Sequence, residues 1–138
     1  MQNISNKYLK DLELNKPASI ELIQDVEKNL GIKFPEDYID FMLFSNGCEG
    51  SIGENYIILW NTEDIIENNE NYEVQTYAPN IVIFGSNGGG EAFGFDMRNK
   101  NIKYIMLPFM FDYNDIIDQG YFLNDFFERL YSDTLFDR

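Results

Sequence analysis

Ile81-Val-Ile-Phe-Gly-Ser-Asn-Gly-Gly-Gly-Glu-Ala-Phe-Gly-Phe-Asp96 is the stretch that decides how this chain folds. An apolar run, a glycine-rich turn and a second run follow one another. In the second run Ala92 and Gly94 alternate with Phe93 and Phe95, the two-residue period of a strand. Gly88, Gly89 and Gly90 in succession are costly in ordering entropy, so a folded domain that holds them uses backbone angles other residues resist. The spacing predicts a hairpin turn or bulge with at least one of the three at positive φ. A phosphate loop is a poor reading. Gly85 and Gly90 have the G-x-x-x-x-G spacing, but Glu91 and Ala92 stand where Lys and Ser/Thr belong, and a carboxylate there repels phosphate. The dinucleotide pattern fails too, with Phe93 in the place of the third glycine after Gly88 and Gly90.

Upstream of the hairpin, Ser19 can cap a helix in which Leu22, Ile23, Val26 and Leu30 share a face, with Gly31 as its left-handed C-terminal cap. Pro35 suits the first position of a second helix, Glu36 and Asp37 complement its dipole, and Tyr38, Phe41, Met42 and Ser45 form its stripe up to Asn46-Gly47. Tyr56–Trp60 reads as a buried strand, and Asn61 or Thr62 can cap a brief helical turn containing Asp64–Ile66. Residues 67–76 are acidic, Asn-rich and expected to be exposed. Downstream, a polar turn at 97–101 leads into a strand over Ile102–Leu107, closed by Pro108. Leu123, Phe126, Phe127, Leu130 and Tyr131 recur at the spacing of an amphipathic closing helix. Residues 1–16 are a weakly patterned lead-in. The whole predicts an α+β fold in a single domain over 1–138, with a central, mainly antiparallel sheet, an N-terminal helix pair and a C-terminal helix. Leu22, Val26, Phe41, Ile83, Phe95, Phe126 and Leu130 are the expected single core.

The chain is long enough to bury a real core, and its nine Tyr and twelve Phe imply one built from rings. The N-terminus lacks a basic-then-apolar signal, and no run approaches the ~20 apolar residues of a membrane span, so a cytoplasmic location is expected. Cys48 has no second cysteine to pair with and reads as buried filler. Twenty-four acidic residues against ten basic give a formal charge of −14. Nucleic acid and anionic membrane are therefore poor partners, whereas a basic protein partner would be steered toward this surface.

The order of parts resembles the SUKH superfamily, which includes a fungal cell-wall-assembly and glucan-synthesis regulator and many bacterial immunity proteins. The resemblance is carried by Ile20–Leu30 with Gly31, by Phe34-Pro35-Glu36-Asp37-Tyr38 and by Phe41–Gly47. It continues in Trp60, in the hairpin Phe84–Asp96 and in Tyr104–Phe109. Phe34 stands where the family usually has Leu, and Asn87 where it often has Asp. The resemblance implies a binding module that is not an enzyme. Bacterial members commonly bind and block the enzymatic domain of a toxin, often a nuclease, so it implies a basic toxin domain as partner. Regulation of cell-wall or glucan synthesis through protein contacts is the other function the family offers.

The residues themselves limit the chemistry. With no His there is no imidazole base, no Ser-His or Cys-His nucleophile pair and no His-ligated zinc. Carboxylate chemistry remains, and an acidic glycan-acting enzyme is the alternative from another class. Glu91 and Asp96 are its best candidates, though the stronger reading is structural, with Glu91 bonding the exposed amides of the turn and Asp96 ending the strand. Asp112, Asn114, Asp115 and Asp118 suggest a calcium loop but lack its glycine, so no metal and no cofactor are expected. Expected partner contacts are the acids Glu63, Asp64, Glu67, Glu70 and Glu73 together with Asp112, Asp115 and Asp118. Trp60 or a neighbouring Tyr such as Tyr56 would be the apolar anchor, although both also fit a core. Gly88, Gly89, Gly90, Glu91 and Asp96 form a structural turn that could also bind.

Overall fold

A computed structural model describes residues 4–138, so the first three residues of the expected lead-in lie outside the described range. Its centre is a seven-stranded antiparallel sheet in which every strand lies beside its neighbour in sequence. The strands are β1 (Leu12–Leu14), β2 (Cys48–Ile52), β3 (Asn55–Leu59), β4 (Ile81–Ser86), β5 (Glu91–Asp96), β6 (Lys103–Pro108) and β7 (Ile117–Gly120). The helices are α1 (Asn6–Leu9), α2 (Ile20–Leu30), α3 (Glu36–Phe44), α4 (Thr62–Asn71), α5 (Val74–Tyr77) and α6 (Leu123–Tyr131), with a 3-10 turn at Tyr113–Asp115. The α+β fold and antiparallel sheet expected from the sequence are what the chain forms.

Both helix ends of the elbow follow from their residues. The Ser19 hydroxyl accepts from Leu22 N at 3.1 Å, and Gly31 closes α2 in the left-handed region at φ 68°. Buried Glu27 then accepts from Phe34 N at 2.8 Å, tying α2 to the start of α3. Pro35 is the N-cap of α3, one position before the expected place, with its φ of −59° suited to either.

The core is divided by the sheet. On one face Ile23 and Val26 of α2, Tyr38, Phe41 and Met42 of α3, and Phe126, Phe127 and Leu130 of α6 pack on Val82, Phe84, Phe93, Phe95 and Tyr104. Rings dominate there: Phe84 stacks on Phe95 at 4.5 Å, and Phe93 meets Phe126 edge-on at 4.9 Å. On the other face Val74 and Ala78 join Ile81, Ile83, Ala92, Ile105, Leu107 and Phe111. Two expectations are corrected. Ile83 belongs to the second cluster, because alternation in β4 turns it away from Val82 and Phe84. Leu22 is 46% exposed, because the buried stripe of α2 runs through Ile23, Val26 and Glu27 and leaves Leu22 at its margin.

The segment between β3 and β4 departs most from expectation. Instead of a brief turn and an exposed stretch, α4 runs for ten residues from an Asn61 cap, with Asn69 buried, and Val74 of α5 is buried too. β3 pairs with β4 only at Ile58↔Ser86 and Leu59↔Gly85. Beyond that point the Asn69 amide replaces the strand. Its Oδ1 accepts from Ile83 N at 3.0 Å and its Nδ2 donates to Ile83 O at 2.8 Å. Gln75 does the same for Ile81 O at 2.7 Å. Buried backbone groups need partners, and two side-chain amides supply them where a strand stops.

Candidate functional site

At the hairpin tip Gly88 takes φ 77°, whereas Gly89 and Gly90 do not enter the left-handed region. Asn87 organises the turn, accepting at Oδ1 from Gly89 N at 2.9 Å and from Glu91 N at 3.2 Å. Its Nδ2 donates to Glu91 Oε1 at 2.8 Å. Glu91 therefore holds a side chain and not the turn amides expected of it. Asn before a glycine run is an Asx-turn signal, so this role was open to sequence reading. The pairing of β4 and β5 skips Phe84, a bulge that sets Gly85 opposite Phe93. A Cβ on Gly85 would lie 2.5 Å from Ile58 O, so glycine is what lets β3 approach there.

Asp96 ends β5 and is buried, with Arg98 Nε and Nη2 donating to its two oxygens at 2.9 and 2.7 Å. Burial raises its pKa, but the bonds and charge of Arg98, with Lys103 beyond, outweigh this and hold the carboxyl below its ordinary value. The Arg98 guanidinium also lies 4.4 Å above the Tyr113 ring. Glu91 and Asp115 line one small cavity of about 180 Å³ with Phe136 and Arg138, while Asp96 is engaged by Arg98.

The other expected contact residues fall into separate settings. Glu63, Asp64, Glu67 and Glu70 are exposed along α4. Glu63 also lines a groove of about 490 Å³ between α2 and α4, with Leu22, Asp25 and Ile66. Glu73 is exposed at φ 52° between α4 and α5. Asp112 caps the 3-10 turn by accepting from Asn114 N at 2.9 Å. Asp118 pairs with Lys103 at 3.2 Å and accepts from Gly120 N at 3.0 Å. Trp60 is partly buried, packed against both core clusters at the end of β3. Tyr56, expected in the core, is instead exposed, its hydroxyl bonded to Glu49, because β3 turns Ile57 and Leu59 inward.

Among the described residues, three ion pairs engage Glu128, Asp96 and Asp118, and the remaining acidic side chains have no cationic partner. No Lys or Arg occurs between Lys33 and Arg98, a span that includes all of α4 and α5. Burial pushes the Cys48 thiol up to about 12, outweighing a bond to Leu59, so it stays protonated at neutral pH. No group of three or more His, Cys, Asp or Glu is placed to hold a metal ion among the described residues. No helix there is long and apolar enough to cross a membrane.

A helix elbow, an antiparallel meander with a glycine-rich central hairpin and a closing amphipathic helix define an α+β domain with an acidic surface. The sequence matches the SMI1 / KNR4 family (SUKH-1) over residues 17–130, and the chain belongs to that family. It is also 37% identical over 102 residues to the uncharacterised protein YnaB of Bacillus subtilis (strain 168). That match spans 74% of this chain and 63% of YnaB.

Proposed function

We propose that this chain is a non-enzymatic binding module, an immunity protein that binds and neutralises a basic toxin domain, with a nuclease the favoured kind. The observation that carries the reading is the stretch between Lys33 and Arg98, which holds no Lys or Arg and in which the α4 carboxylates stand exposed without ion-pair partners. A net charge of −14 exceeds the magnitude of roughly 2–8 that suffices for solubility in a small domain. Nuclease surfaces are basic because they bind phosphate backbones, so an acidic protein can cover one with complementary charge. Membership of the SUKH-1 family supports a binding role. Glu91 and Asp96 do not favour the glycosidase alternative, since each is held by a neighbouring side chain.

The test takes the product of the gene beside this one, which the reading expects to be a basic nuclease. It should bind the purified chain and lose nuclease activity on binding. Its association rate should fall steeply as salt rises, because exposed charge is screened over ~8 Å at physiological ionic strength. A neighbour that neither binds nor is inhibited would end the immunity reading and move regulation by protein contacts to first place.

A further inference from the structure

Rings and carboxylates share one outer surface where the end of α4 meets residues 109–115. The Tyr72 ring lies 4.7 Å from Phe109 and 6.1 Å from Phe111. Tyr113 donates its hydroxyl to Pro79 O at 2.7 Å, so the two segments are joined into one face. Tyr77, two residues before Pro79, is 62% exposed, Met110, between Phe109 and Phe111, is 86% exposed, and Glu70 and Glu73 at the end of α4 and the start of α5 are exposed as well. Single exposed rings need no explanation, but exposed aromatic and Met side chains rimmed by acids have the composition of an interface.

The protein already contains one filled example of what such a pairing holds. Arg98 bonds the Asp96 carboxylate through two nitrogens and lays its guanidinium 4.4 Å over the Tyr113 ring. Tyr77 stands at the end of α5 and Glu73 at its start, with Glu70 and Tyr72 one turn before, and this half of the face has no cation of its own. We infer that the Tyr72–Tyr77–Met110 face docks the basic protein partner, taking its arginine side chains between tyrosine rings and the Glu70 and Glu73 carboxylates. The inference rests on the binding reading above and adds the surface and the side chain it selects. Arginine is favoured over lysine because its planar fork can stack on a ring and bond a carboxylate together. The backbone here is also held in conformations that most side chains resist, with Glu73 at φ 52° and Phe111 at 54°. Strain of this kind collects at functional surfaces. The α2–α4 groove is the competing surface, but its apolar floor of Leu22, Val26 and Ile66 offers no ring for a guanidinium.

The probes are a poly-arginine and a poly-lysine peptide of equal length, added at low salt to the full chain uniformly labelled with ¹³C and ¹⁵N. The Met110 methyl and the Tyr77 ring signals should shift, and poly-arginine should bind about two- to fivefold more tightly than poly-lysine. The double variant Tyr77→Ala with Met110→Ala should lose that preference, while Tyr77→Phe keeps it. Both side chains are mostly in solvent, so an unchanged circular dichroism spectrum and Tm should accompany the loss. Equal binding of the two peptides, or shifts confined to Leu22 and Ile66, overturns this surface while leaving a basic partner in place. No binding of either peptide overturns both readings.

Discussion

Two glycines of the hairpin tip, Gly88 and Gly90, do different things, and the difference is measurable. Gly88 sits at φ 77° with only ordinary contacts around a built Cβ, the nearest being Tyr56 at 3.6 Å. A side chain there meets backbone strain and not crowding. Gly88→Val should therefore lower unfolding free energy by about 1–2 kcal/mol, the cost of placing a substituted residue in the left-handed region. Gly90 has nothing within 4 Å of a built Cβ and lies outside that region, so Gly90→Ala should be neutral or slightly stabilising. Urea denaturation of the two variants side by side checks the pair. Equal losses would show that the tip as a whole, and not the angle at Gly88, is what glycine serves. The need for positive φ was legible in the run of three glycines. Which of them takes it was not, because that depends on how Asn87 closes the turn.

Elements in this fold are joined by buried polar side chains that hydrophobic pattern does not mark. Asn69 holds α4 against the Ile83 backbone, and truncating it leaves a buried N–H and C=O unpaired. Asn69→Ala should cost about 2–6 kcal/mol, from ~1–3 kcal/mol for each of the two unsatisfied groups. Asn71→Ala, at an exposed position on the same helix, is the control and should change little. A small loss for Asn69→Ala would mean that water takes the place of the amide. The helix pair, hairpin and closing helix were readable because their apolar residues recur at helical or strand spacing over many positions. α4 was read as too short because Glu67-Asn-Asn-Glu-Asn71 is polar throughout, and only Asn69 faces inward. Leu22 was misplaced for the related reason that one apolar residue beside a stripe looks like part of it. The exposed acids could be named from sequence, but not the meeting of Tyr72 with Phe109 and Phe111, since that contact is tertiary. The tie between α1 and α6 gives a pH dependence. Tyr8 is pushed up to about 12 by burial and then by its bond to Glu128, 2.6 Å away. Its folded pKa exceeds the unfolded value of ~10, so its contribution to stability is complete below that pH and lost as pH rises toward the folded value. Stability measured across that window should fall in the native chain and fall less in Tyr8→Phe. An identical slope in the two would remove Tyr8 from the account.

At the scale of the whole molecule, charge opposes folding as much as it could serve binding. With −14 net charge and three ion pairs among the described residues, the compact state brings like charges together. Adding salt from a few millimolar upward should therefore raise Tm. On α4, Glu63 and Glu67 are both exposed and stand four residues apart, a like-charge pair that destabilises a helix by a few tenths of a kcal/mol. Glu67→Lys turns that repulsion into an attraction with the Glu in its preferred N-terminal place, for a gain of about 0.5 kcal/mol across the change. It should also flatten the rise of Tm with salt. If the acids exist to meet a basic partner, the same substitution that steadies the free protein should slow the partner's association at low salt. Stability and binding would then move in opposite directions in one variant, which neither a solvated loop nor a purely structural helix predicts. Thermal melts and stopped-flow association of Glu67→Lys, each at low and high salt, decide it. A variant that gains stability with its association rate and salt slope unchanged places the contact away from this part of α4. One that gains no stability shows that the α4 acids do not repel one another in the folded chain.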